Sequence, residues 1–144
     1  MIRICLVRGT LHVVMLACLI FAAAPNVIAS STLPSRTNDQ GGVRVVVTPR
    51  PQSVNATTWE FDVALDTHTK PLTDDLAAAS SLVDDQGKAT PAKSWTGDPP
   101  GGHHRKGVLQ FSAPANNPAA FELRLKGVGG VDVRTFRWDQ SSQN

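Results

Sequence analysis

From Trp59 to Asp66 the chain alternates without a break. Trp59, Phe61, Val63 and Leu65 fall on one side, and Glu60, Asp62, Ala64 and Asp66 on the other. Only an extended strand repeats its side-chain direction every two residues; a helix would scatter the four large apolar groups around its circumference. The stretch therefore predicts a strand with one buried and one wet face. Its inward side chains are the largest in the chain, which places it centrally.

Other short runs follow the same rule, each bounded by turn residues. Residues 43–48 are β-branched and stop at Pro49, which suits a strand at or near a sheet edge. Residues 68–75 read as a loop turning at Pro71. Asp74 to Ala79 can start a helix capped by Thr73, but a short turn and then a strand over 79–83 is the preferred reading. Asp84-Asp85-Gln86-Gly87 is a turn, and residues 88–95 form the hairpin partner. Further strands are expected over 107–112, 121–126 and 131–138. Gly127 to Gly130 forms a turn, and Arg134 and Arg137 face outward. About seven short strands with little helix define an all-β fold: one antiparallel sandwich, immunoglobulin-like or fibronectin-like. Trp59, Trp95 and Trp138 supply core bulk.

The chain begins differently. Residues 1–29 carry Arg3 and Arg8, then an apolar run over 11–24, then Val27-Ile28-Ala29 before Ser30, the layout of a secretory signal peptide. The run is short against the about 20 residues of a membrane-spanning helix. The two competing readings are a retained anchor and a lipid-modified Cys18, though Cys18 sits in mid-run. Cleavage before Ser30 removes both cysteines, Cys5 and Cys18, and leaves 115 of the 144 residues, enough for one domain. Without Arg3 and Arg8, 12 of the 14 basic residues remain to face 12 acidic ones. A neutral chain lacks the basic surface that nucleic acid or anionic lipid requires, and stable membrane insertion is not expected after cleavage. Residues 30–40 are polar and aperiodic and read as a flexible lead-in. The domain is placed at 41–139 and a tail at 140–144.

The candidate site lies between Trp95 and Phe111. Pro99 and Pro100 stiffen the approach, Gly101 and Gly102 permit unusual backbone angles, and His103, His104, Arg105 and Lys106 follow. Ligand-binding residues are expected to be His68, Gly101, Gly102, His103, His104 and Arg105, with Arg105 and Lys106 free to receive an acidic group on a partner. Imidazoles also bind copper and zinc, so His68, His103 and His104 form an alternative metal set. Adjacent residues of an extended chain point apart, however, and no His-x-x-x-His spacing is present. A hydrolytic enzyme is the remaining alternative. No Gly-x-Ser-x-Gly turn supports it, and the pairs Asp74-Asp75 and Asp84-Asp85 read as turn charges rather than catalytic carboxylates. The reading is a non-enzymatic binding module.

Several residues taken together, Thr67-His68, Leu72, Asp75, Leu82, Asp84, Gly87, Trp95, Gly97, Gly101-Gly102-His103-His104-Arg105, Gly107-Val108-Leu109, Phe111, Gly127-Val128-Gly129, Arg134, Phe136 and Trp138, resemble a family of small uncharacterised secreted or periplasmic bacterial proteins. The resemblance implies a periplasmic or extracellular location and a single module, and no activity.

Strand parity places the site. Two strands separate the loop of His68 from the loop of His103 and His104, so the chain returns to the end it left. Two more strands bring Gly127–Gly130 to the same end. Asp85–Gly87 and Pro114–Pro118 belong at the opposite one.

Overall fold

A computed structural model describes residues 32–52 and 56–140. The signal-peptide reading of residues 1–29, the cut before Ser30 and the tail from residue 141 lie outside the described residues. The described chain is almost wholly antiparallel β. In order it forms β1 (Arg36–Gln40), β2 (Val43–Pro49), β3 (Thr58–Thr67), α1 (Leu76–Ala79), β4 (Ser80–Asp84), β5 (Ala89–Gly97), β6 (His104–Ser112), β7 (Ala120–Lys126), a 3-10 turn (Val128–Gly130) and β8 (Val133–Asp139).

The eight strands make one folded-over sheet, ordered β1-β2-β3-β6-β5-β4-β7-β8. Strand β5 links the two layers. Its first residues, Ala89–Pro91, pair with β4, and Ala92–Gly97 pair with β6 across a bulge. The sandwich is thus a single sheet bent at β5, not two separate sheets. Its outer edges, β1 and β8, come back beside each other and make it nearly a barrel. Arg36 Nε donates to Arg137 O (3.1 Å), and Trp138 Nε1 donates to Pro34 O (2.7 Å).

Strand β1 corrects the domain boundary at 41 and raises the strand number to eight. Residues 36–40 form a full ladder with β2. Their side chains, Arg-Thr-Asn-Asp-Gln, are exposed or half-exposed, so no apolar alternation marks them. Backbone pairing to a neighbour needs none. Gln40 and Val43 are joined through Gly41 and Gly42, both at positive φ (59° and 71°), where a β-carbon would be strained. At the other end Gln140 N still donates to Ala119 O, so the tail begins at residue 141 at the earliest.

Helix α1 is a single turn. Asp75, not Thr73, caps it: Asp75 Oδ1 accepts from Ala77 N (3.0 Å) and Ala78 N (3.1 Å). The carboxylate sits one residue before the turn and reaches two orphan N–H groups at once. Leu76 buries against the core, and Ser80 returns the chain to extended geometry.

The inner face of β3 is as the alternation requires. Trp59, Phe61, Val63 and Leu65 are at most 4% exposed. Phe61 is the hub, with ring centroids at 5.6 Å from Phe111, 6.0 Å from Phe121 and 5.9 Å from Trp138. Edge-on and tilted aromatic contacts of this kind add to simple burial. Trp59 and Trp138 are buried; Trp95 is only half-buried and packs at the margin of the core.

Arg134 does not face outward. It lies in phase with Phe136 and Trp138 and is completely buried. Its guanidinium reaches four acceptors: Val128 O (3.1 Å), Val43 O (3.1 Å), Gln40 O (2.9 Å) and Asn38 Oδ1 (2.6 Å). Burial lowers its pKa from the ordinary value, with Asp39 and Asp74 opposing the shift. The clasp ties β8 and the 3-10 turn to the β1–β2 hairpin. Arg137, an odd number of residues further along the strand, falls on the opposite face and is exposed as expected.

Candidate functional site

The loops gather at two poles as strand parity requires. At one pole Lys70 Nζ donates to Gly129 O (3.2 Å), and Gly129 N donates to Asp74 Oδ2 (3.0 Å). Thr67 N donates to His103 O (2.9 Å) there as well. At the far pole Ala119 N donates to Asp85 Oδ2 (2.9 Å). The ends of the described chain, around Pro34 and Gln140, also lie at that far pole, since β1 starts there and β8 stops there.

His68 and His104 face each other at the first pole, with ring centroids 6.4 Å apart and planes nearly perpendicular. His104 Nδ1 lies 2.6 Å from Asp66 Oδ1, and both side chains are open to water. Strand register explains the meeting, because Asp66 pairs with His104 across β3 and β6 and Arg44 pairs with Asp66 across β2 and β3. Side chains directly opposite on one face of an antiparallel pair are close enough to interact. His104 therefore belongs to strand β6, not to the loop before it. His103 is exposed and contributes its carbonyl to Thr67. Among the described residues no three His, Cys, Asp or Glu side chains are grouped to hold a metal ion.

Gly101 and Gly102 work through their backbones. Gly101 N donates to Leu72 O (2.8 Å), and Leu72 N donates to Gly102 O (2.9 Å), a reciprocal clamp between the two loops. Gly102, at φ 66°, holds the left-handed geometry that the clamp requires. Leu72 drops into the core beneath it.

Arg105 is not available to an acidic partner. It is 2% exposed, in phase with the inward Leu109 and Phe111. Its NH1 donates to Leu72 O (3.1 Å) and Asp74 O (2.7 Å), NH2 makes a long bond to Asp98 O (3.4 Å), and the guanidinium lies 5.6 Å from the Trp95 ring centre. Nε has no partner among the described residues. The side chain is a strut that fixes the loops carrying the histidines. Burying a charge this way is tolerable because carbonyl dipoles and an aromatic face replace its water.

The acidic pairs are fully occupied by local structure. Asp75 caps α1, Asp74 holds Gly129, Asp84 Oδ1 accepts from Gln86 N and Lys88 N in the β4–β5 turn, and Asp85 holds Ala119.

Beyond His104 the outer face of β2, β3 and β6 opens into a trough of about 460 Å³. Val46, Ala64 and Val108 form its floor, and Arg50, Asp62, Asp98 and Lys106 stand around it. Arg50 is held by Asp62 (2.8 Å) and Glu60 (3.0 Å), bonds that raise its pKa, Asp62 contributing most. The trough follows from the same alternation that buries Phe61, because small residues fall outward at Val46, Ala64 and Val108.

No family profile matches the chain, and no curated protein does. Among solved structures it is similar to the crystal structure of a DUF4426 family protein from Pseudomonas aeruginosa PAO1. Identity is 19%, the TM-score is 0.44, and the match covers 72% of this chain and 93% of that one. By its own architecture the molecule is an all-β antiparallel module with one loop-rich pole. Among the described residues no helix is long and apolar enough to cross a membrane.

Proposed function

We propose that this chain is an exported, non-enzymatic module, working in the periplasm or outside the cell, that binds a ligand or protein partner through the pole of His68, His103 and His104. One observation carries the reading. His68 on its loop and His104 at the start of β6 stand exposed with ring centroids 6.4 Å apart, beside loops that a buried strut and a backbone clamp hold in place. Binding groups on a rigid frame lose little entropy when a ligand arrives. The engagement of all four paired aspartates with backbone N–H groups, in a cap, a turn and two ties between loops, supports a non-catalytic role.

Amide shifts of the ¹⁵N-labelled mature chain, screened against a small-molecule fragment library, test this. Shifts are expected to cluster on Asp66–His68 and His103–Lys106, and His68→Ala should weaken the same hits. A cluster at the Asp85–Ala119 pole refutes the reading. Zinc and copper chlorides form a separate arm. Tight stoichiometric binding lost in both His68→Ala and His104→Ala would replace the ligand reading with the metal one.

A further inference from the structure

We infer that the trough on the outer face of β2, β3 and β6 is a second binding site, for a small amphipathic amine whose apolar body lies on Val46, Ala64 and Val108 and whose ammonium meets Asp98. The inference does not depend on the histidines. It starts from cross-strand register: Val46 pairs with Ala64, Ala64 with Lys106, and Asp62 with Val108. These pairs set three small apolar side chains side by side on the wet face of the sheet. The volume above them, about 460 Å³, falls within the roughly 300–1,000 Å³ of small-molecule sites.

The charges around that floor set the sign of the ligand. Arg50 and Lys106 stand against Glu60, Asp62 and Asp98, an excess of one negative charge. The neighbouring row of the sheet adds to it. Register places Arg44 between Asp39 and Asp66, so three cations face five carboxylates, with histidines counted neutral at pH 7. The excess has two sources. The one guanidinium of Arg50 is shared by Asp62 (2.8 Å) and Glu60 (3.0 Å), which leaves that cluster one charge negative. The Asp98 carboxylate has no cation partner among the described residues. Its Oδ2 accepts only from the neutral backbone N–H of Lys106 (2.9 Å), and the Lys106 ammonium is exposed and pairs with no carboxylate. An excess of one sign beside an apolar surface raises the local concentration of the opposite ion.

Asp98 is also held still. Its N donates to Lys106 O (3.0 Å), its Oδ2 accepts from Lys106 N, and its carbonyl accepts from Trp95 Nε1 (3.0 Å). The half-buried carboxylate is thereby fixed at the end of the β5–β6 ladder. A charged group that is already ordered loses little freedom when its counter-charge arrives. Oδ1 alone is left without a donor. One oxygen suits a compact ammonium, whereas the two-toothed guanidinium fork would need both.

Octylammonium, octanol and octanoate share one apolar chain under three heads, and their separate titration into the ¹⁵N-labelled mature chain at neutral pH tests the proposal. Saturable octylammonium shifts are expected on Val46, Ala64 and Val108. Octylammonium should bind roughly three- to ten-fold more tightly than octanol, the worth of one partly exposed charge-assisted contact, and octanoate should bind most weakly. Asp98→Asn keeps an acceptor for Lys106 N; it should lower octylammonium affinity by that same factor and leave octanol unchanged. Lys106→Gln removes the unpaired cation beside the site and should raise octylammonium affinity about two-fold. Ala64→Leu, which fills the floor from an outward position, should abolish binding of all three; if it does not fold, Val108→Phe fills the same floor. His68→Ala should leave octylammonium affinity intact, so failure here and failure of the histidine pole are read separately. Equal affinity for the three heads, octanoate as the tightest ligand, indifference to Asp98→Asn, a fall in affinity with Lys106→Gln, or shifts that do not saturate or map elsewhere overturn the proposal.

Discussion

Replacing Arg134 with methionine removes the clasp that closes the sheet and keeps most of the side-chain volume. Three carbonyls, Val43 O, Gln40 O and Val128 O, lose a charged donor, and so does Asn38 Oδ1. Val128 O keeps its bond from Val131 N (3.3 Å), so the loss is counted per charge-assisted bond: at about 1.5 kcal/mol each, the four cost about 6 kcal/mol. Against this, the guanidinium no longer has to be dehydrated and the methionine buries more apolar surface, which together offset about 1–2 kcal/mol. Some strand-end carbonyls will also recruit water at the hairpin. A net loss of roughly 3 kcal/mol follows, a large share of the about 5–15 kcal/mol that holds a domain of this size. In urea, with a slope of about 1.5 kcal/mol per molar, the midpoint should fall by about 2 M. Arg137→Met is the control. Arg137 lies three residues away on β8, exposed, in surface pairs with Glu122 and Asp139, and its loss should cost at most about 1 kcal/mol. Arg134→Lys should recover little, because an ammonium cannot reach four acceptors spread over two hairpins. A midpoint for Arg134→Met within 0.5 M of wild type (about 0.75 kcal/mol on the same slope), or equal to that of Arg137→Met, refutes the closure argument.

Two further outcomes are expected. Phe61→Ala empties the hub where Phe111, Phe121 and Trp138 meet and should cost about 3–5 kcal/mol in urea unfolding; a near-wild-type midpoint would mean the hub carries no load. Glu122 has its pKa lowered below the ordinary 4.5, chiefly by the hydrogen bond from Arg124, with burial opposing and Arg137 helping. A carboxylate with a depressed folded pKa stabilises above the unfolded pKa and loses that contribution as pH falls through the folded one. Glu122→Gln should therefore be less stable than wild type at neutral pH, and the gap should close below pH 4.5; a gap that persists unchanged at pH 3 would contradict it.

The sequence shows the central strand, the hairpin turn at Asp84–Gly87 and the gathering of loops at one pole, because period two and strand parity survive any rearrangement of strand order. What it conceals has identifiable causes. Strand β1 carries no apolar pattern, since it joins the sheet through its backbone ladder and polar side chains rather than by burying an apolar face. Arg105 and Arg134 sit at inward positions by strict alternation, yet their charge argues for the surface. Alternation prevails because loop carbonyls and Trp95 stand where water would have been. The trough is written in Val46, Ala64 and Val108, three small outward residues on three strands, and only register brings them together. His68 and His104 are likewise separated in the chain and meet because a loop and a strand end share a pole.

The placement of Pro34 and Gln140 has a practical consequence. Residues near Pro34 and Gln140 share the pole opposite His68 and His104. Ten-residue β3 runs between the poles, and at about 3.3 Å per residue it spans up to about 30 Å. A bead or fusion partner coupled at Pro34 or Gln140 would thus hold the histidine pole outward, on the side away from its support. The trough, midway along the strands, would lie flank-on and stay open in the same arrangement. Display of this kind needs no linker designed around the site, because the even number of strands puts Pro34 and Gln140 together at the opposite pole.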